Sequence, residues 1–320
     1  MAKSKVAVRS TRKMPVQQAV DEILAALDWQ TVISAESKVV IKLNLNTADP
    51  ETIRGANTSP LLVEALCRTI KRRTPKVVLV ESHGYRYSAE HAFDVSGIYE
   101  LAERTGVEVV NLSHCTCRDV IPSQLGPLPE IALDADVFVT MPVIKTHALT
   151  YFTGALKNQW GCIPRYDRIA LHSQLDWLLV ELHRVLRPQL CIMDGMTGIE
   201  GRGPTNGTPR RLDIVLGSAD AVALDATAMR LVGLNPARAR HVVMAHEAGL
   251  GSFNAESIEL DADVDHSWQP FEPARLDWAV SLMNRLSRYG WFRSHILEVT
   301  PVFNTGKRTV NALRKLRIVR

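Results

Sequence analysis

The sequence predicts an α/β fold with a mostly parallel, doubly wound sheet and helices on both faces. Three observations point to it. Strand-like and helix-like segments alternate along the chain, which is the pattern of parallel strands joined by right-handed crossovers. The strand-like segments are continuous and rich in β-branched residues, as in 38–43, which is expected of strands covered on both faces. Polar clusters fall where those runs end. At 320 residues the chain exceeds the usual domain of about 100 to 200 residues, so two lobes around a cleft are compatible with the pattern.

Residues 6–8 read as a first strand. Val16, Ala19, Ile23, Leu24 and Leu27 recur at helical spacing behind Pro15, so 15–27 reads as a helix with proline at its start. A strand at 38–43, a loop at 44–57, a helix at 59–71 and a strand at 76–81 follow. Next come a loop at 83–88, a helix at 91–104 and a strand at 107–112. A proline-rich stretch over 122–129 precedes a strand at 135–140. A helix at 173–186 is stopped by Pro188, and 190–193 is a strand leading into a glycine-rich loop over 195–207. A strand at 212–216 and a helix at 219–231 complete the pattern.

Beyond residue 251 the periodicity weakens, although 275–286 reads as a helix and Trp278, Trp291 and Phe292 as caps on the core. Residues 1–250 are therefore expected to form the α/β domain, with any division into lobes near 115–135, and 251–320 a helical extension. Its end, 307–320, carries Lys307, Arg308, Arg314, Lys315, Arg317 and Arg320 without an acidic residue, interleaved with Val310, Leu313, Leu316 and Ile318. A basic amphipathic helix suits a solvated edge, an anionic membrane surface or a protein partner.

Composition narrows the class. Hydrophobic residues at 46% and charged residues at 22% are ordinary globular usage. A net charge of +4 is too small to indicate a nucleic-acid partner. The five cysteines, Cys67, Cys115, Cys117, Cys162 and Cys191, include no CxxC pair, so neither a disulfide framework nor an iron-sulfur cluster is expected. No apolar run approaches the length of about 18 residues needed to span a bilayer, and a cytoplasmic protein without a signal peptide or transmembrane segment is the expectation.

In an open α/β sheet the loops at the carboxyl ends of the strands form the ligand crevice, and four such loops are unusually polar. The first places Lys42, Asn44 and Asn46 on one side of an extended chain; the asparagines would equally suit turn formation. The second, after 77–80, offers Glu81 and His83, suited to acid/base work or metal ligation. The third carries Lys145, Thr146 and His147 and continues to Lys157 and Asn158. Lysines beside an apolar strand are costly to bury without a compensating anion, so they are candidate anion ligands or nucleophilic amines. The fourth runs from Asp194-Gly195 through Gly201-Arg202-Gly203-Pro204 to Asn206-Gly207, an acid at a strand end followed by a lid-like loop. No P-loop or GxGxxG motif is present. Asp225 either reaches this crevice or lies on the surface, and capping suffices to explain His172.

The expected catalytic residues are thus Lys145, His147, Lys157 and His83. The expected substrate ligands are Lys42, Asn44, Asn46, Glu81, Thr146, Asn158, Asp194 and Gly203, with His83 and His147 the candidate ligands should a divalent metal bind.

The segments Val40-Ile41-Lys42-Leu43-Asn44-Leu45, Thr58-Ser59-Pro60, Ala135-Asp136-Val137 through Lys145-Thr146-His147, and Leu156-Lys157-Asn158-Gln159-Trp160-Gly161 occur in one order with His172, Asp194-Gly195 and Gly203-Pro204 plus Gly207. Together they resemble the family named domain of unknown function 362, over residues 38–235. Some members carry a ferredoxin-like cluster module; this chain lacks its cysteines, so the resemblance implies no cluster. The chain is also distantly similar to the amino-terminal domain of lactate racemase-like enzymes, which use a nickel-pincer nucleotide. There a histidine near the end of an Ala-Asp strand precedes the lysine that carries the cofactor, and His147 and Lys157 stand ten positions apart here, with His83-Gly84 after an earlier strand. Ala155-Leu156 occupies the place of the glycine-rich approach, so this resemblance implies common ancestry without the cofactor.

The leading expectation is an enzyme, isomerase- or racemase-like or an oxidoreductase, that moves a proton or hydride on a small carboxylate- or phosphate-bearing substrate. The alternative is a non-catalytic anion-binding or membrane-surface scaffold. Substrate, cofactor and oligomeric state are not encoded in any motif recognised above.

Overall fold

The computed structural model describes residues 3–84, 87–264 and 268–274, with Leu286 and Tyr289. The chain divides into two units, one of residues 1–164 with 176–274 and one of residues 165–175 with 275–320. In the second unit the described part is mainly the 3-10 segment Tyr166–Gln174. The helix expected over 275–286 (Leu286 apart), the three aromatic caps and the basic stretch 307–320 lie outside the described residues.

The larger unit begins with β1 (Ser4–Ser10), α1 (Val16–Ala26), the short α2 (Trp29–Val32) and β2 (Val39–Lys42). It continues through α3 (Pro60–Lys71), β3 (Val77–Glu81), α4 (Ala89–Val95), α5 (Ile98–Thr105) and β4 (Glu108–Asn111). A small hairpin of β5 (Cys117–Arg118) and β6 (Leu128–Pro129) occupies the proline-rich stretch, followed by α6 (Glu130–Leu133) and β7 (Val137–Thr140). Then come β8 (Val143–His147), β9 (Tyr151–Thr153), α7 (Ala155–Asn158), α8 (Leu175–Leu186), β10 (Leu190–Glu200) and β11 (Thr208–Ser218). The unit closes with α9 (Ala221–Leu231), α10 (Arg240–Glu247) and β12 (Ile258–Asp263).

The main sheet runs in the order β12-β1-β11-β10-β7-β2-β3-β4. Only β11 opposes the common strand direction along that path, because it pairs antiparallel with both β1 and β10. The fold is therefore mostly parallel α/β, as the sequence predicts. Alternate residues of each strand enter different cores, as a period of two requires. Ala7, Ile192 and Val215 join α1, α3, α4 and α5 on one face, while Val6, Val8, Met193 and Leu216 join α9 and α10 on the other.

Four local expectations need correction. The helix expected at 91–104 is two helices, parted where Gly97 adopts a left-handed φ of 67°, which glycine reaches without a Cβ penalty. The glycine-rich stretch from residue 195 is strand up to Glu200, and the loop proper is 201–207. Glycine serves close packing there: a Cβ at Gly195 would stand 2.7 Å from Ile214 Cγ1, and one at Gly198 2.9 Å from the Ile144 carbonyl. The polar segment after β7 is a hairpin of β8 and β9. The weakly periodic region beyond residue 251 supplies an edge strand, β12, parallel to β1. A domain boundary at residue 250 remains a proposal.

Candidate functional site

The sheet order reverses between β2 and β7: β3 and β4 extend from one side of β2, and β7 and β10 from the other. Ligand crevices of open α/β sheets lie at such a switch point, outside the carboxyl ends of the strands. Lys42 ends β2, opposite Val80 of β3 and Thr140 of β7. Its side chain is 1% exposed and pairs with Glu81 at 2.6 Å, while also donating to the Leu43 carbonyl at 2.7 Å. Glu81 accepts in addition from the backbone N–H groups of Leu45 and Ser82. A buried ion pair endures only when its remaining hydrogen-bonding capacity is largely met, and these amides serve the carboxylate as the Leu43 carbonyl serves the ammonium.

A chain of amides spans the switch point. Asn158, in α7, donates through Nδ2 to the Lys42 carbonyl (3.2 Å) and to Thr140 Oγ1 (2.8 Å). Its Oδ1 must therefore face Asn44, which donates to it at 2.8 Å. The Asn44 Oδ1 is left to accept from Lys145 Nζ at 2.5 Å. Each orientation follows from the one before it.

Lys145, in the middle of β8, is 1% exposed. Among the described residues its only other hydrogen bond is to the Ala56 carbonyl at 2.7 Å. Both acceptors are neutral, and an ammonium would have a third N–H without one. Burial, with the neighbouring Lys157 charge next in weight, lowers its pKa to about 7, against a weaker opposing pull from Glu81 and Asp194. Asp194 is engaged on both oxygens by backbone amides, Ser59 at 2.8 Å and Met196 at 2.9 Å. Burial raises its pKa to about 6 although those bonds favour the anion.

The surrounding loops are tied down around these groups. Asn46 donates to Thr205 Oγ1 at 2.5 Å, joining the loop after β2 to the loop after β10. Gly203 lies so close to the Thr146 backbone that a Cβ would overlap its carbonyl oxygen. A Cβ at Gly161 would stand 2.6 Å from Lys42 Nζ and 2.7 Å from Glu81 Oε1, so that glycine roofs the ion pair.

The structure thus brings together Lys42, Asn44, Glu81, Lys145, Asn158 and, electrostatically, Lys157 and Asp194. It takes others elsewhere. Thr146 alternates away from Lys145 and donates to the Gly201 carbonyl at 3.1 Å. His147 turns Nδ1 to accept the Leu149 and Thr150 amides at 3.1 and 3.2 Å, which places the ring proton of the neutral form on Nε2. His83 does not meet His147 in a metal-ligating group; among the described residues the group that forms is His83, Glu90 and His114.

Asp225 belongs to the site's support. It is fully buried in α9 and accepts the amides of Ala155 (2.6 Å) and Leu156 (3.1 Å) at the start of α7, the helix that carries Lys157 and Asn158. Its pKa is raised to about 7 by burial, against those two bonds. Its signal in the sequence is a lone acid inside the otherwise apolar run of α9. The carbonyl of Ala56 and the approach of Gly161 carry no side-chain signal at all.

A family model described as domain of unknown function (DUF362) matches residues 39–230. A thylakoid-associated protein of Synechocystis is 28% identical over 239 residues, 72% of each chain. The lactate racemase apoprotein of Thermoanaerobacterium thermosaccharolyticum aligns over 73% of this chain and 58% of its own, with 13% identity and a TM-score of 0.46. A crystal structure of a Thermotoga maritima protein aligns over 74% of this chain and 59% of its own, with 11% identity and a TM-score of 0.39. The chain therefore spans under two thirds of either solved protein.

Proposed function

The chain belongs to the domain of unknown function 362 family, and from that premise and the lysine chamber at the switch point we propose an enzyme that acts on a small carboxylate- or phosphate-bearing substrate by proton or hydride movement. The observation that supports it is Lys145, a buried amine with two neutral acceptors and no third among the described residues. Bound beside it, an oxyanion would accept the third N–H, compensate the Lys157 charge and return Lys145 to its ammonium form. As that ammonium Lys145 holds the oxyanion and can give a proton to the bound substrate as a general acid, regaining one as the product forms. Of the two movements, proton transfer is the one these side chains supply unaided, in keeping with an isomerase- or racemase-like reaction.

In this reading Lys42 and Glu81 stiffen the floor, and Asn44 and Asn158 aim Lys145. Lys157 attracts the anion, and His147 presents Nε2–H as a donor. The test is a panel of small carboxylates and phosphates scored first by thermal shift and then by turnover. A ligand that stabilises the wild type and not Lys145→Met supports the assignment. Turnover of a verified substrate that is unchanged in Lys145→Met and His147→Ala would remove both residues from the chemistry.

A second reading has one observation in its favour, the thylakoid-associated relative. No described helix is long and apolar enough to cross a membrane; in this reading the association is peripheral and runs through the basic stretch 307–320. Sedimentation with anionic liposomes, with and without those residues, decides it: binding that depends on them supports the reading, and binding that ignores them or is absent opposes it.

A further inference from the structure

We propose that His83, Glu90 and His114 bind a divalent transition-metal ion of the zinc, cobalt or nickel type through two imidazoles and one carboxylate. This site lies outside the amide and lysine network described above and does not depend on the reading given to it.

The three donors come from three places that the fold brings to one edge. His83 follows β3, Glu90 is in the first turn of α4, and His114 ends the 3-10 turn Leu112–His114 after β4. They are adjacent because β3 and β4 pair in parallel. One ligand atom from each lies within 4.8 Å of the other two. The two Nε2 atoms face each other at 3.2 Å, and the Glu90 carboxylate stands 3.8 Å from His83 Nδ1 and 3.6 Å from His114 Nδ1. Donors bonded to one tetrahedral ion at about 2.0 to 2.2 Å are separated by roughly 3.4 Å; the short contacts here involve Nε2 between the rings and Nδ1 toward the carboxylate, so the rings must turn to bring one nitrogen each, already within 4.8 Å, to that spacing.

The plainer account is a hydrogen-bonded histidine pair. Ala89 N–H donates to His83 Nδ1 at 3.0 Å, which puts the ring proton on Nε2, between the two imidazoles. An ion bound at His83 Nε2 takes the place of that proton, which moves to Nδ1 of the same ring, so the Ala89 bond is given up, one hydrogen bond against three coordinate bonds. What the pair alone does not explain is the carboxylate beside both rings, itself fixed by Asn111 Nδ2 at 2.5 Å from Glu90 Oε1. Two imidazoles and a carboxylate select borderline first-row ions over calcium or magnesium. The His83 side chain is 5% exposed and anchors the site, while Glu90 and His114, at 44% and 68%, leave it open to solvent. Three protein donors leave coordination positions for water or an oxygen-bearing ligand.

The test uses the full chain freed of metal with a chelator, then titrated with Zn2+ by calorimetry and with Co2+ by visible absorption. Saturable binding of one equivalent is expected, with ligand-field bands for Co2+. His114→Ala and Glu90→Gln, both at exposed positions, should each weaken it at least roughly tenfold, the loss that even outer-sphere partners cause, with melting in chelator unchanged. His147→Ala should leave the affinity as it is. The absence of saturable binding, or an affinity that survives either His114→Ala or Glu90→Gln, overturns the proposal.

Discussion

Lys145 concentrates the physical chemistry of this protein in one amine. Between about pH 7 and the ordinary lysine value of 10.5, the unfolded chain holds a proton that the folded chain has released. Stability therefore rises with pH across that window, and this contribution is lost as pH falls toward 7, where the folded state must bury the ammonium. Urea denaturation of wild type and Lys145→Met should show the wild type gaining on the variant from pH 7 to pH 10, by on the order of 1.4 kcal/mol per pH unit at most. A pH-independent difference would mean that the amine titrates normally. At this scale the sequence was informative about identity and silent about partners. Lysines at strand ends are visible in the Lys145-Thr146-His147 motif, and the cost of burying them follows from their chemistry. That Asn44 aims its oxygen at Lys145 depends on Asn158, more than a hundred residues away, and on a carbonyl of Ala56.

Among the elements, the strands and their ends were legible, since apolar runs and the polar residues after them give β2, β3, β7 and the start of β10. The hairpin of β8 and β9 was not, because Lys145, Thr146 and Thr153 take buried positions beside Val143, Ile144 and Phe152, where a uniform apolar pattern is expected. The glycines were misread for a related reason: Gly195 and Gly198 mark close strand packing, and a sequence shows them as turn residues. Gly161 makes the same point testable. Its α-carbon side faces Lys42 Nζ and Glu81 Oε1, both almost fully buried, so an added methyl has no open space to enter. Gly161→Ala should lower stability by about 1 to 3 kcal/mol, the usual cost of overpacking, with little change in the denaturant slope. An unchanged midpoint would show that the roof over the ion pair moves freely. Gly203→Ala should act likewise through the Thr146 backbone, detaching the loop over 201–207 and lowering the protection of its amides from hydrogen exchange.

On the scale of the whole molecule, one topological fact organises the site. The sheet reverses its order between β2 and β7, and the loops that follow β2, β3, β7 and β10 converge there from segments spread over some 160 residues of sequence. The fold class was readable from the alternation of strands and helices, whereas the antiparallel β11 and the edge strand β12 depend on pairings that no local pattern announces. The family match over residues 39–230 contains the converging loops and assigns them no reaction. Whether the crevice is built for an oxyanion is decided by following the 13Cε and 15Nζ resonances of Lys145 from pH 5 to pH 11, alone and with a saturating small carboxylate or phosphate. A pKa near 7 is expected without ligand and a rise of about one unit or more with it, equivalent to roughly 1.4 kcal/mol of differential binding. A pKa near the ordinary lysine value, unmoved by every oxyanion in the panel, would contradict that expectation.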